Sequence, residues 1–471
     1  MKIFAYLYVG GKMTEQVLKY FKEISEIPRC SKNEKHIIGY LKLWAEKKGF
    51  RYKVDRGGNL VVYAGKGLNV IALQSHVDMV CEKLKDSNHD FEKDGIKLVF
   101  EGDFVKASGT TLGADNGVGV AIMMALCDDE DILRNLSLEL LFTVDEETGL
   151  NGANNLEKGL LSSKYMINLD TEDDNEIIIG CAGGRDIYGE KGYDFIENGE
   201  NRGYLIEIKG LFGGHSGIDI DKNRLNAVKI MAEVLLSIDD VKISSISGGT
   251  RHNVIPVSAS SSILTAYPFK HLQHICNDIC EKYRNAEPGL SINITEDTLS
   301  CQYIDELNSR EILNLISELP SGVIHKEGEY VVTSANLAKV RTEDKNIKFL
   351  LSIRSSVKDF KEKIYHDIMS KFSEYGYNVF GDNDYPAWQP DYNSKLLKIA
   401  EEIYRKRYND LKIKVVHAGL ECGIIKEKYP DIDVISIGPD IDFPHSVNER
   451  VRISSIGKTY TWVKEILMTL F

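Results

Sequence analysis

The stretch NVIALQSHVDMV, residues 69–80, decides the fold class of this chain. It is a strand-like apolar run that ends in groups able to hold a divalent cation, His76 and Asp78. Two residues apart at the end of a strand, both side chains point to one face. The same form recurs along the chain, with Asp115 in LGADNGVG, Glu146 and Glu147 in LFTVDEETG, Asp170 in MINLDTED and His445 in DFPHSVNER. One such frame means little. Five in order point to a metal site, because imidazole and carboxylate are ligands that zinc and similar borderline metals prefer.

Outward from that stretch, helical and strand patterns alternate. EQVLKYFKEISEI and HIIGYLKLWAEKKG have helical periodicity, and NLVVYAG, LSLELLFTVDEE and YMINLD read as strands. GVGVAIMMALC reads as a buried helix. Alternation of this kind predicts an α/β catalytic domain with a central mixed, largely parallel sheet. Near Gly183 the strands become longer and more polar, as in YLIEIKGLFGG, NVIPVSASSSILTAY and IKFLLSIRSSV. That change predicts an α+β domain on an antiparallel sheet. The proline-bearing DNDYPAWQPDYNS, residues 382–394, reads as a return linker, after which KLLKIAEEIYRKRY and DVISIGP resume the α/β pattern. The expected organisation is a catalytic domain over 13–183 and 389–471 interrupted by an inserted domain over 184–388.

At 471 residues the chain exceeds what one core usually supports. Its net charge of −13 opposes binding to nucleic acid or to an anionic membrane. The eight cysteines show no paired CxxC spacing, which predicts free thiols in a reducing cytoplasm. At the N-terminus, Lys2 and IFAYLYVGG imitate a short signal peptide without an A-x-A-like cleavage site. Residues 1–12 are therefore expected to be an extension upstream of a start at Met13.

Each frame suggests a division of labour. His76 can ligate while Asp78 orients it and raises its basicity. Asp115, in a glycine-rich turn, can bridge two metals through its two oxygens, and no GK[ST] follows to make that turn a phosphate loop. Glu146 and Glu147, read as adjacent strand residues, should point opposite ways. One would then ligate, and the other would act as general base on a water whose pKa the metal lowers.

Together these motifs resemble the M20 family of metallopeptidases, and within it the aminoacyl-histidine dipeptidase branch. IPRCSKNE, GGHSGIDI, RHNVIP and HAGLECG add to the likeness, which runs from about Met13 to Phe471. The resemblance implies a site for two zinc ions, with cobalt or manganese as possible substitutes. It implies that Asp115 bridges them, that His76 and Asp170 complete one site, and that Glu147 and His445 complete the other. Glu146 then becomes the general base, with Asp78 supporting His76. The inserted domain becomes a lid whose His215 stabilises the oxyanion. Asn253 and Arg354 would hold the substrate carboxylate, and Glu421 its free amine. The implied activity is hydrolysis of dipeptides, with histidine favoured at the C-terminal position, by a cytoplasmic monomer or lid-mediated homodimer. An N-acylamino-acid deacylase or a tripeptidase on the same metal core is the alternative.

Overall fold

The computed structural model describes residues 11–197, 203–297 and 302–471. They divide into two compact units. The first runs to Gly180 and resumes at Pro390–Val415 and Leu420–Phe471; the second comprises Cys181–Gln389 and Val416–Gly419. Residues 1–10 of the expected extension lie outside the described residues, whereas Gly11 and Lys12 open the helix Gly11–Ser25.

The first unit is built on an eight-stranded sheet. In spatial order its strands are Arg51–Val54, Leu60–Gly65, Leu136–Thr143, Asn69–His76, Tyr165–Asn168, Asp433–Ser436, Glu176–Cys181 and Lys412–Val416. Its centre is parallel, as the sequence predicts: Asn69–His76 pairs in parallel with both Leu136–Thr143 and Tyr165–Asn168, and Tyr165–Asn168 with Asp433–Ser436. Antiparallel pairs flank that centre. The central strands are buried on both faces, which explains their near-continuous apolar sequence. Helices Gly11–Ser25, Ala114–Leu126 and Ile453–Thr469 contribute Phe21, Ile24, Val118, Ile122, Val463 and Ile466 to the same core.

A smaller four-stranded sheet joins Leu98–Glu101, Phe104–Ala107, Arg450–Arg452 and Ile441–Asp442. Its last two strands form an antiparallel hairpin whose loop carries His445. Phe443 and His445 hold left-handed φ angles of 56° and 59° there, an uncommon state for such side chains that marks a constrained loop.

The second unit has an antiparallel sheet ordered Ser291–Asp297, Gly203–Lys209, Ala259–Leu264, Lys242–Gly248, Tyr330–Glu343, Asn346–Ser355, Gly183–Gly192 and Asn378–Tyr385. Gly322–Glu327 pairs with Tyr330–Glu343 off this path. Helices Ala227–Leu236, Phe269–Tyr283, Glu306–Glu318 and Lys358–Glu374 supply buried Met231, Leu272, Ile312 and Phe372 to its separate core.

Three local expectations are corrected. The start of the presumed linker, DNDY, belongs to the strand Asn378–Tyr385, which pairs with Gly183–Gly192; its polar composition suits an exposed edge strand. Glu146 and Glu147 stand in a turn beyond the strand Leu136–Thr143, after Asp145 at φ 50°, so strand alternation does not separate them. Cys30 and Cys81 form a disulfide rather than two free thiols, brought together by a parallel bridge between Cys30 and Met79. Cys127, Cys276 and Cys280 are free, and Cys301 lies outside the described residues. Among the described residues, no helix is long and apolar enough to cross a membrane.

Candidate metal centre

The seven residues singled out in the five frames meet in the first unit, each at or just beyond the end of an element. His76 is the last residue of its strand, and Asp170 follows Tyr165–Asn168 by two positions. Asp115 enters at the start of the helix Ala114–Leu126, where its own φ/ψ and those of Asn116 are non-helical and the peptide between them is cis. Gly119 lets that helix approach closely, because a Cβ there would collide with Asn116, the Leu169 carbonyl and Ser75 Oγ.

Asp115 lies between the two imidazoles. Its Oδ1 is 3.0 Å from His76 Nε2, and its Oδ2 is 3.0 Å from His445 Nε2. Asp170 Oδ1 stands 3.3 Å from His76 Nε2, and Glu147 Oε2 stands 3.0 Å from His445 Nε2. The residues thus form two sets, His76–Asp115–Asp170 and Asp115–Glu147–His445, each with ligand atoms within 4.8 Å of one another and sharing Asp115. His76, Glu146 and Glu147 form a third grouping of that kind.

Asp78 organises this centre without facing the shared carboxylate. Its Oδ1 is 3.3 Å from His76 Nδ1 and accepts from the Glu146 amide at 3.1 Å. Its Oδ2 accepts from the Glu147 amide at 3.2 Å and from Ser31 Oγ at 2.8 Å. One carboxylate therefore orients the imidazole and pins the turn that presents both glutamates. Burial opposes its charge, but His76 and these donors hold Asp78 down to about 2.

The electrostatics are those of too many buried carboxylates for the cations at hand. Burial pushes Glu146 well above the usual carboxylate range, with Asp170, Glu147 and Glu421 adding to the rise and His76 opposing it. Burial also raises Asp170 and Glu147. Burial disfavours a charge on His76, yet Asp170, Asp115 and Asp78 outweigh it and raise its proton affinity well above normal. Glu147 Oε1 is buried with no hydrogen-bond partner among the described residues. A buried anionic cluster of this kind calls for compensating positive charge. Two divalent cations fit it by charge, by nitrogen and oxygen donor type, and by the two sets that share Asp115.

Glu421 belongs to the same unit and is 1% exposed. Its Oε2 accepts from Gln74 Nε2 at 2.6 Å and Thr143 Oγ1 at 2.8 Å, while Oε1 is buried with no hydrogen-bond partner among the described residues. Burial, with Asp170 and Asp78 nearby, raises it to about 8.

His215, Asn253 and Arg354 lie in the second unit. His215 Nδ1 accepts from the amides of Gly217 and Ile218 at 3.1 and 3.2 Å, and burial and Arg354 lower its pKa. The neutral imidazole therefore carries its proton on Nε2, which is left as a donor. Arg354 donates to Tyr385 Oη at 2.9 Å, and its buried Nε has no hydrogen-bond partner among the described residues. The Asn253 carbonyl accepts from the Ser216 amide at 2.8 Å.

Several supporting residues escape a reading by motif. Gln74 and Thr143 hold Glu421, and Arg29 and Glu449 grip the backbone around Asp115. Arg29 and Glu449 do lie inside the quoted frames IPRCSKNE and DFPHSVNER, so a charged residue beside a ligand frame was the available signal.

Residues 72–469 match the model of the family described as Peptidase family M20/M25/M40. The chain is 35% identical over 466 residues to the cytosol non-specific dipeptidase of Escherichia coli, covering 95% of this chain and 96% of that one. It is similar to the crystal structure of aminoacylhistidine dipeptidase from Vibrio alginolyticus, with a TM-score of 0.89, 30% identity and 99% of each chain covered. A tripeptidase from Staphylococcus aureus shares the fold at a TM-score of 0.56 and 18% identity, over 97% of this chain and 98% of that one.

Proposed function

Since the chain belongs to peptidase family M20/M25/M40, we propose that it is a metal-dependent dipeptidase acting on unblocked dipeptides, Xaa-His among them, in the cytoplasm. The observation that carries this reading is Asp115, whose two oxygens each face a different imidazole at 3.0 Å. We assign His76, Asp115 and Asp170 to one cation, and Asp115, Glu147 and His445 to the other, with zinc as the metal. When bound, such cations supply Lewis acidity that polarises a carbonyl and lowers the pKa of water.

In this reading Glu146 performs the proton transfers. It is held beside the ligands by its own amide, which donates to Asp78, and its burial favours accepting a proton. Its carboxylate takes a proton from the attacking water as the new C–O bond forms at the peptide carbonyl carbon. It then returns that proton to the amide nitrogen as the C–N bond breaks. Asp78 keeps His76 oriented through Nδ1 while Nε2 faces Asp115 and Asp170.

By likeness to the family, His215, Asn253 and Arg354 are assigned to substrate contacts. His215, neutral with its proton on Nε2, suits the developing oxyanion. The Arg354 guanidinium suits a terminal carboxylate, and Asn253 is assigned to the same end. Glu421 Oε1 is assigned to the free amine. The test compares leucyl-histidine with an N-acetylated amino acid and a tripeptide. Cleavage of the dipeptide alone supports the proposal; preference for the acylated compound makes the enzyme a deacylase instead.

A further inference from the structure

Asp115 turns both oxygens to imidazoles, so its position has to come from its backbone. That backbone is gripped by Glu449, which is 3% exposed. Glu449 Oε2 accepts from the Leu112 amide at 2.7 Å and the Gly113 amide at 3.0 Å. Its Oε1 accepts from the Ala114 amide at 2.7 Å and the Asp115 amide at 3.3 Å. Four consecutive N–H groups converging on one point form a concavity suited to an anion, and here a side chain of the same protein fills it.

Arg29, 1% exposed, holds the opposite polar face. One of its guanidinium nitrogens donates to the carbonyls of Val77 and Asp78 at 3.0 Å each, and another to the carbonyl of Gly113. The Asp115 turn is thereby tied to the strand end that bears His76 and Asp78. Gly113 is required for this contact: its φ is 68°, and a Cβ would collide with Arg29 and Met79. Glu449 is the leading charge partner of Arg29 and offsets part of the cost of burying that guanidinium. Glu449 also follows His445 by four residues in one hairpin loop, so a single segment carries a ligand candidate and the grip on the turn.

We infer that Glu449 is a positioning residue for the metal centre, fixing the Asp115 turn through four backbone amides so that its oxygens face His76 and His445 before a cation arrives. This inference rests on the metal-centre reading above. Both Glu449 oxygens are taken up by backbone amides, so it acts through the Asp115 turn. A carboxylate is needed because each oxygen takes two donors; glutamine would turn an NH2 toward two N–H groups, and aspartate would fall a methylene short.

The test titrates the metal-free wild type, E449Q and E449D with Co2+, following visible absorption and competition with a chelator. Circular dichroism verifies the fold of each. The wild type is expected to bind two Co2+. Folded E449Q should bind them about 10–100-fold more weakly, the usual cost of losing a partner that orients a ligand. Wild-type affinity in folded E449Q overturns the inference and leaves the metal reading intact. A wild type that binds no Co2+ overturns both. Should the variants not fold, hydrogen exchange on the metal-free wild type decides: slow exchange of the Leu112–Asp115 amides supports the inference. Exchange that slows only after Co2+ is added overturns it, because the cation would then be what orders the turn.

Discussion

Asp115 Oδ2 lies 3.0 Å from His445 Nε2, a contact that joins residues 330 apart in sequence. The first comes from a turn that opens a buried helix, and the second from a hairpin loop of the small four-stranded sheet. Without this contact the first unit would hold one imidazole-carboxylate set at the sheet ends. With it, a second set shares Asp115 with the first, the arrangement expected of a two-cation hydrolase.

Asp115→Ala should therefore cost more than one ligand. Both sets lose their shared carboxylate, and the protein should retain well under one metal per chain after dialysis. Metal content by mass spectrometry checks this. Two metals per chain in a folded variant would remove Asp115 from the bridging position.

Glu146→Ala should behave differently, because Glu146 is assigned to proton transfer. Its metal content should match the wild type while kcat falls by about 10²-fold or more. Steady-state kinetics beside metal analysis separates the two effects; unchanged kcat would dismiss Glu146 as the base.

His417 offers a test within the second unit. Its Nε2 lies 2.7 Å from Ser334 Oγ, and burial together with Arg354 lowers it to about 4. The unfolded chain binds this proton near pH 6.5, so the folded state refuses it over the interval between. Stability should fall as the pH drops from about 6.5 to about 4, by roughly 3 kcal/mol at most. Urea midpoints across that range should decline less in His417→Gln than in the wild type. Equal slopes would mean that His417 is not buried neutral.

The Cys30–Cys81 disulfide closes a separation of 51 residues in the first unit. Chain-entropy arguments assign such a loop roughly 4 kcal/mol, so reduction should lower the melting temperature by several degrees. A Cys30→Ser, Cys81→Ser double variant should melt like the reduced protein whether or not reductant is added. An unchanged melting temperature on reducing the wild type would contradict the bond's contribution.

The strands that carry the site were legible because burial on both faces leaves an uninterrupted apolar run, as in Asn69–His76, and a polar ligand at its end stands out. The turn at Glu146 directly continues an apolar strand pattern, and only Asp145 and Gly149 around it, residues that tolerate left-handed angles, mark the break. Other features left no periodic trace. Glu449 bonds to amides 334 to 337 residues away, and Cys30 reaches Cys81 without any paired motif. Such contacts depend on tertiary closure, to which local patterning is blind. The polar DNDY strand escaped for the reverse reason, since an exposed edge needs no apolar alternation.

The most direct test of the central claim is hydrolysis of leucyl-histidine by the purified protein, measured as isolated, after chelation, and after zinc is restored. The metal-centre account predicts activity that disappears on chelation and returns with zinc. Full activity in the chelated, metal-free protein would contradict it.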